Sequence, residues 1–506
     1  MADVRPAVHV ARGASFLFIQ SLVTAIVGAV GFGIIARLMT RTEMGVYVTL
    51  TLVFAIAQIT TTLGLSSAAV KFVAESKAKD EQKAAAGVAF HIFRLSFLGS
   101  ILFSAFLFFF SSQISYLLTR TTEYVEAYRI LALDLTFAGV LPNLNGIVIG
   151  LQKIKEAAGF NIVAYTLSKL LSVVFLLLKL GLWGVVLGWL IGDLCGFLLF
   201  SGCIVKDLGM PSFNFSLKRL VRFSWPIYIS SWVGFGYNWF DRVLILAYAS
   251  LADVAIYNVA VTAFGMMYAL PGAISTALFP QYSELHGRNG IRGLEKVVRT
   301  ASRYVCYVVV PLAIGLVATA RPTISLFAGR AYETGALPLA ILCFFGASTC
   351  VGASLSDIFS IAERTKTYAL LTLTVLSVSI SLGLVVLPLA GVLGAAIVRG
   401  AAMVSGLLIM VAVLRRMKLF RVDFDLEAFW KSWLASLVMA VAILLLQEVW
   451  YSKYLLPIYV LVGGVVYMVM LRILRAVRAH DVHLVKAFVG RRWERIVDRA
   501  GSFLVS

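Results

Sequence analysis

The chain has 506 residues, of which 60% are hydrophobic, and it carries a formal net charge of +19. Soluble domains are about 45–50% apolar, so this composition, with a mean hydropathy of +0.93, excludes an ordinary water-soluble protein. The basic residues lie between apolar blocks instead of on one continuous surface, which argues against a nucleic-acid partner.

The apolar residues form blocks of about twenty, the length that crosses a bilayer as an α-helix. The first block follows Arg5 and Arg12 and is too long for a cleavable leader, so we expect it to be retained. We predict an all-α integral membrane protein with about fourteen transmembrane helices, near residues 14–36, 45–66, 88–111, 129–150, 158–179, 183–204, 225–248, 255–279, 301–320, 337–360, 367–387, 391–414, 432–450 and 455–474.

Basic residues alternate between the segments that join these spans. One set of segments, which includes both termini, holds 32 Lys and Arg residues, whereas the other set holds six. The positive-inside rule therefore places both termini in the cytoplasm of a multi-pass plasma or inner-membrane protein. In the basic tail, 476–506, apolar residues recur at helical spacing, which predicts an amphipathic helix on anionic lipid.

The chain repeats itself weakly at a shift of about 210 residues. Residues 40–47 align with 250–257, Ile114-Ser115 aligns with Ile324-Ser325, and residues 183–185 align with 390–392 at a shift of 207. The shift spans six helices, an even number, so the two halves have the same orientation. The predicted domains are two six-helix lobes, 1–210 and 211–420, then two further spans, 421–475, and the tail, 476–506.

Three segments carry a family resemblance: Ala36–Tyr47, Asp241–Leu246 with the following Ala255–Tyr257, and Phe327–Tyr332. They resemble the Wzx-like oligosaccharide flippases, within the superfamily that includes lipid II flippases and multidrug and toxin extruders. The resemblance implies two lobes around a central cavity and alternating access. The implied substrate is an oligosaccharide on a polyprenyl (pyro)phosphate, carried to the outer leaflet for polysaccharide or glycan biosynthesis.

Ionisable side chains inside a membrane are costly and usually face protein or water. Lys169 and Asp193 lie about 15–16 Å deep, and Asp241, Arg242 and Arg399 lie about 9–12 Å from the outward edge. We predict that the three cations bind the anionic head group, and that Asp193 and Asp241 couple transport to H⁺ or Na⁺ or pair with the cations. The alternative is that Lys169–Asp193 and Asp241–Arg399 are closed ion pairs that only fix helix packing.

Polar and aromatic side chains within the spans suggest a route for sugars. Asn161, Tyr165 and Lys169 are four residues apart and share one helix face. The possible sugar path comprises Asn161, Tyr165, Trp232 and Asn238. Asp134 lies nearer a span end, and we expect it to reach water.

Other functions fit the sequence less well. It contains no phosphate loop of the GxxxxGK[ST] type, so ATP hydrolysis is unsupported. A multidrug extruder for organic cations is the nearest alternative, but the membrane cations outnumber the carboxylates. A glycosyltransferase or polymerase would need more acidic residues on its outward loops, so we predict no catalytic residues. The five cysteines lie in apolar segments, so we predict neither a metal site nor a cofactor.

Overall fold

The computed structural model describes residues 4–209, 215–267, 294–352, 355–361, 364–417 and 424–476, and these residues contain no β-strand. Eleven segments in them are long and apolar enough to cross a membrane. The all-α membrane fold predicted from the sequence is therefore confirmed. The helices are α1 Val4–Leu38, α2 Arg41–Thr62, α3 Leu65–Ala78, α4 Gln82–Phe109, α5 Ser111–Thr119, α6 Val125–Ala138, α7 Leu141–Gly150, α8 Ile154–Leu177, α9 Gly181–Leu208, α10 Leu217–Tyr248, α11 Leu251–Met267, α12 Leu294–Ala318, α13 Ala320–Phe327, α14 Ala336–Thr349, α15 Leu355–Ile361, α16 Thr365–Arg416, α17 Leu426–Val449 and α18 Leu456–Ile473.

The number of spans stays a prediction. The long helix α16 contains two predicted spans, 367–387 and 391–414, which meet where Gly391 has φ 52° and ψ −132°. This conformation suits glycine, and Pro388 removes a backbone donor just before it, so the helix breaks there. Helix α10 is less apolar than the eleven segments. The second half of the span predicted at 255–279 and the tail 477–506 lie outside the described residues.

The chain packs as two compact units. Unit 1 comprises Met1–Trp239 with Ser250–Ala255, and unit 2 comprises Phe240–Ala249 with Ile256–Ser506. The core of unit 1 joins α3, α4, α7 and α9 through residues such as Phe72, Ile92, Ile147 and Phe200. In unit 2, α12, α17 and α18 share a core that includes Met439, Tyr459 and Tyr467.

The repeat at a shift of 210 residues has a counterpart in local structure. The Thr40 hydroxyl accepts a hydrogen bond from the Glu43 amide at 3.2 Å, and the Glu43 carboxylate accepts one from the Thr40 amide at 2.8 Å. In the same way, the Ser250 hydroxyl accepts a hydrogen bond from the Asp253 amide at 3.2 Å, and the Asp253 carboxylate accepts one from the Ser250 amide at 3.1 Å. Each capping box satisfies backbone donors at a helix start. Helices α2 and α11 therefore begin alike.

Small residues set the spacing of α8 and α9. Gly188, Gly192 and Gly196 recur every fourth residue on α9, and a Cβ on Gly192 would lie 2.4 Å from the Cβ of Ser168. A Cβ on Gly188 would lie 2.4 Å from the amide nitrogen of Ser172. In a membrane, such glycine repeats allow close backbone contact between helices. We call this contact the α8–α9 seam.

Candidate functional site

The α8–α9 seam positions the two charged residues predicted in the first lobe. Lys169 directly follows Ser168, and Asp193 directly follows Gly192, so both leave the helices beside the closest backbone approach. Helix α1 packs on the same part of α8, where a Cβ on Gly31 would lie 3.4 Å from the Cβ of Lys169. Both charged side chains are half-buried.

The Lys169 ammonium lies among aromatic rings. Its Nζ is 5.6 Å from the centroid of Tyr165 and 5.5 Å from that of Trp189, and it interacts electrostatically with the Tyr47 hydroxyl. These rings attract a cation through their π-faces without neutralising it. No contact ion pair joins Lys169 to Asp193, and within the described part of the chain Lys169 has no carboxylate within 4.0 Å.

Asp193 instead faces a second carboxyl group, that of Asp134 on α6. The two side chains are within hydrogen-bonding reach of each other. Asp134 is completely buried, and neither of its carboxylate oxygens has a donor among the described residues. The expectation that Asp134 reaches water is wrong, because α6 packs on α4 and α9 around it. Two adjacent carboxylates repel each other, so this acid pair is suited to holding a proton.

A polar stripe extends from Lys169 along α8. The Asn161 side-chain amide donates to the side-chain oxygen of Asn145 at 3.0 Å and to that of Gln20 at 3.5 Å. One turn further along, the Tyr165 hydroxyl lies against Gly28 of α1, and 37% of Tyr165 is exposed. The stripe predicted on α8 therefore gains polar partners from α1 and α7. Its residues are Gln20, Asn145, Asn161, Tyr165 and Lys169.

Helix α10 carries the other predicted sugar-path residues. Trp232 lies in a ladder of aromatic rings with consecutive centroids 5.7–6.4 Å apart. Asn238 is exposed, and its amide donates to the Gly234 carbonyl at 2.9 Å. Spacings of three and four residues could have revealed the whole ladder in the sequence. The rings are those of Trp225, Tyr228, Trp232, Phe235 and Trp239.

Unit 2 contains a second group of buried charges. The carboxylate of Asp241 accepts hydrogen bonds from Arg399 at 2.7 Å and from the Tyr257 hydroxyl at 2.6 Å. Asp241 is completely buried, and the Arg399 side chain is 11% exposed. Arg242 lies beside them and interacts electrostatically with both. Asp241 thus lies close to two guanidinium groups, those of Arg242 and Arg399.

Lys169 and Arg399 occupy different positions of the repeat, but they approach equivalent positions of it. At a shift of 210 residues, Gly31 corresponds to Asp241 and Tyr47 corresponds to Tyr257. Lys169 packs on Gly31 and approaches the Tyr47 hydroxyl, whereas Arg399 binds Asp241, which also binds the Tyr257 hydroxyl. In unit 1, α8 thus brings a cation to the hairpin of α1 and α2. In unit 2, α16 brings a cation to the corresponding part of α10 and α11. The acidic partner on that hairpin is present in unit 2 alone.

Comparison with known proteins is consistent with this architecture. Residues 34–336, more than half of the chain, match the family described as "Polysaccharide biosynthesis protein". Two relatives come from Haloferax volcanii. The "Probable flippase AglR" is 22% identical over 42% of this chain and 47% of its own length. The "Probable low-salt glycan biosynthesis flippase Agl15" is 26% identical over 28% of this chain and 29% of its own length. The matches thus span less than half the length of these relatives.

Solved structures share the fold at low sequence identity. The lipid II flippase MurJ in an inward closed conformation has a TM-score of 0.74 at 18% identity, covering 90% of this chain and 97% of that one. An inward-facing multidrug resistance MATE family transporter has a TM-score of 0.65 at 16% identity, covering 80% of this chain and 99% of that one. The chain therefore belongs to the polysaccharide biosynthesis protein family and has the all-α membrane fold shared by these transporters.

Proposed function

We propose that the protein is a flippase that moves a lipid-linked oligosaccharide, carried on a polyprenyl (pyro)phosphate, from the cytoplasmic to the outer leaflet by alternating access. The observation that carries this proposal is the Lys169 ammonium, held between two aromatic rings with no contact ion pair in the described residues. A cation kept at this depth without a bound carboxylate is expensive. An anionic cargo explains why it is retained.

The charge of the cargo determines what the route must provide. A phosphate in hydrocarbon is strongly disfavoured unless cations approach it closely. Lys169 provides a point charge, whereas Arg242 and Arg399 present planar guanidinium groups suited to phosphate oxygens. Since Lys169 makes no contact ion pair with a described residue, we assign it the main contact, and we assign Arg242 and Arg399 supporting roles.

The glycan needs polar and aromatic surfaces. The polar stripe provides amide and hydroxyl groups from Asn161 and Tyr165. The aromatic ladder on α10, which contains Trp232, provides ring faces on which sugars stack, and Asn238 lies at its end. We therefore retain the four residues predicted as a sugar path.

The acid pair supports coupling to protons. When one proton is shared, Asp193 and Asp134 carry one negative charge, which offsets the charge of Lys169. A second proton removes this compensation and leaves Lys169 available to a phosphate. We therefore propose H⁺, not Na⁺, as the coupling ion at Asp193. Asp241 is already saturated by Arg399 and Tyr257, and we assign it to charge pairing.

The same acid pair favours one other function, extrusion of organic cations. A buried carboxylate pair suits a cationic drug as well as a proton. Ethidium efflux from proteoliposomes tests this alternative. Efflux that depends on Asp193, without translocation of a lipid-linked oligosaccharide, would replace the flippase proposal.

The main test is translocation of a fluorescent lipid-linked oligosaccharide in proteoliposomes, measured as protection from an external glycosidase. We expect Lys169→Gln and Arg242→Gln to lower the initial rate about tenfold or more, the scale of a lost charged contact. Lys179→Gln is the matched control, since it removes an exposed cation just beyond the end of α8. Wild-type rates in both folded variants would refute the role of these charges.

A further inference from the structure

A cationic cavity lies in unit 1, and none of its lining residues belongs to the candidate site described above. It has a volume of about 520 Å³ and lies between α3 and the first two turns of α10. Pockets of this size hold small molecules or head groups. We call it the basic pocket. Its lining residues are Lys71, Phe72, Ser216, Lys218, Arg219, Arg222 and Phe223.

Aromatic rings form the floor of the basic pocket. Phe72 is 3% exposed, and its ring centroid is 5.3 Å from that of Phe223 and 5.5 Å from that of Phe215. The Lys71 ammonium lies 4.5 Å from the Phe223 centroid, and the Arg219 guanidinium lies 4.8 Å from the Phe72 centroid. These contacts hold the two cations in place without using their N–H donors, although Nη2 of Arg219 donates to the Glu75 carboxylate.

The positive charge of the basic pocket is largely uncompensated. Arg219 binds Glu75 at 3.2 Å, but Glu75 also binds Lys79. Lys71, Lys218 and Arg222 make no ion pair with any described residue. Like charges held together repel one another, and cations near the start of a helix are further disfavoured by its dipole. An anionic ligand removes both costs.

The depth of the basic pocket indicates the source of that anion. Lys71 lies seven residues before the end of α3, about 10 Å along the helix axis. Both segments that line the pocket belong to the basic set that the positive-inside rule assigns to the cytoplasm. With this predicted orientation, we expect the pocket to be level with the phosphate groups of the inner leaflet.

We propose that the basic pocket binds the phosphate of a membrane lipid. Two lipids offer this chemistry: the polyisoprenyl (pyro)phosphate of the cargo, on its way to Lys169, and an anionic phospholipid. The first source rests on the proposed flippase function, whereas the second does not. A pyrophosphate spans more donors than a monoanionic diester, and the pocket offers four cationic side chains.

Binding to the full-length protein in nanodiscs tests the proposal. One arm presents a fluorescent polyisoprenyl pyrophosphate in phosphatidylcholine, and the other presents fluorescent phosphatidylglycerol in the same lipid. The test variant is Lys218→Gln/Arg222→Gln. The control is Lys83→Gln/Lys155→Gln, which removes two exposed cations of unit 1 outside the pocket.

The pocket variant should bind its lipid roughly 25-fold more weakly than wild type, at about fivefold for each of the two lost cations. The control should bind as wild type. Weakening in the pyrophosphate arm identifies a loading site for the cargo, and weakening confined to the phosphatidylglycerol arm identifies a phospholipid site. Equal binding by both variants in both arms overturns the proposal. Translocation by the wild type is measured in parallel. If the wild type translocates its cargo while the pocket variant binds both lipids as wild type does, the binding role of the pocket is refuted and the flippase function is not.

Discussion

Replacing Arg399 by methionine tests whether its ion pair with Asp241 holds α16 against α10 in unit 2. The pair is almost dry, since Asp241 is fully buried and the Arg399 side chain is 11% exposed. Removing Arg399 leaves Asp241 with Arg242 nearby but without its contact ion pair, and breaking such a buried pair costs about 3–5 kcal/mol. At about 2–4 °C per kcal/mol for a unit of this size, we expect the apparent unfolding temperature to fall by about 6–20 °C.

The double variant Asp241→Leu/Arg399→Met separates pairing from packing. Removing both members of the pair leaves no carboxylate that has lost its contact partner, so the double variant should be more stable than the Arg399→Met variant, although Arg242 then loses its neighbouring carboxylate. The assay is thermal unfolding of purified protein in one detergent, followed by intrinsic fluorescence. Arg364→Met is the control, because Arg364 is an exposed cation at the start of the same helix. If the double variant is no more stable than Arg399→Met, or if Arg399→Met and Arg364→Met are equally stable, the ion pair does not hold the two helices together.

Three further predictions concern stability. Gly192→Leu should destabilise the protein by about 1–3 kcal/mol or more through overpacking of the α8–α9 seam. The control is Gly202→Leu on the same helix, which has open space around it and should not be destabilised. Thermal unfolding measures both variants. Burial opposes ionisation of Asp425, but hydrogen bonds from the Ala428 amide and Arg303 hold its pKa below the usual value. The ionised carboxylate therefore stabilises the fold above its unfolded pKa of about 4. This stabilisation is lost as the pH falls through the lower pKa of the folded state. Between pH 6 and pH 3 wild type should therefore lose more stability than Asp425→Asn, and equal losses would contradict this. Thr40→Ala and Ser250→Ala should each cost about 1 kcal/mol by chemical denaturation, and a neutral result for either would show that its capping box is dispensable.

The sequence features that agree with the structure are local ones. The segments at Thr40 and Ser250, which align as a repeat, also contain Thr-x-x-Glu and Ser-x-x-Asp capping signals that could have predicted both helix starts. The break between two predicted spans falls at Gly391, which follows a proline by three residues. Such features depend on neighbouring residues, so the sequence contains the information needed to find them.

The surroundings of the charged residues were harder to predict. The depth of Asp193 in its span suggested Lys169 as a partner, but the side chain faces Asp134. Counting residues from span ends placed Asp134 near water, because this procedure ignores the helices that pack around it. Depth along one helix is a local quantity, whereas burial depends on several helices. The pairing of Asp241 with Arg399 was one of two open alternatives, and matched depth alone could not choose between them.

The α8–α9 seam also constrains how the protein can move. Glycine and serine interlock there with backbone atoms in contact, so no long side chain is available to change rotamer and absorb a sliding motion. In the proposed transport cycle, the two helices are then expected to move as a single rigid piece. Lys169 and Asp193, one on each side of the seam, would keep a constant separation. Any change in their electrostatic balance would then come from protons or from the proposed cargo.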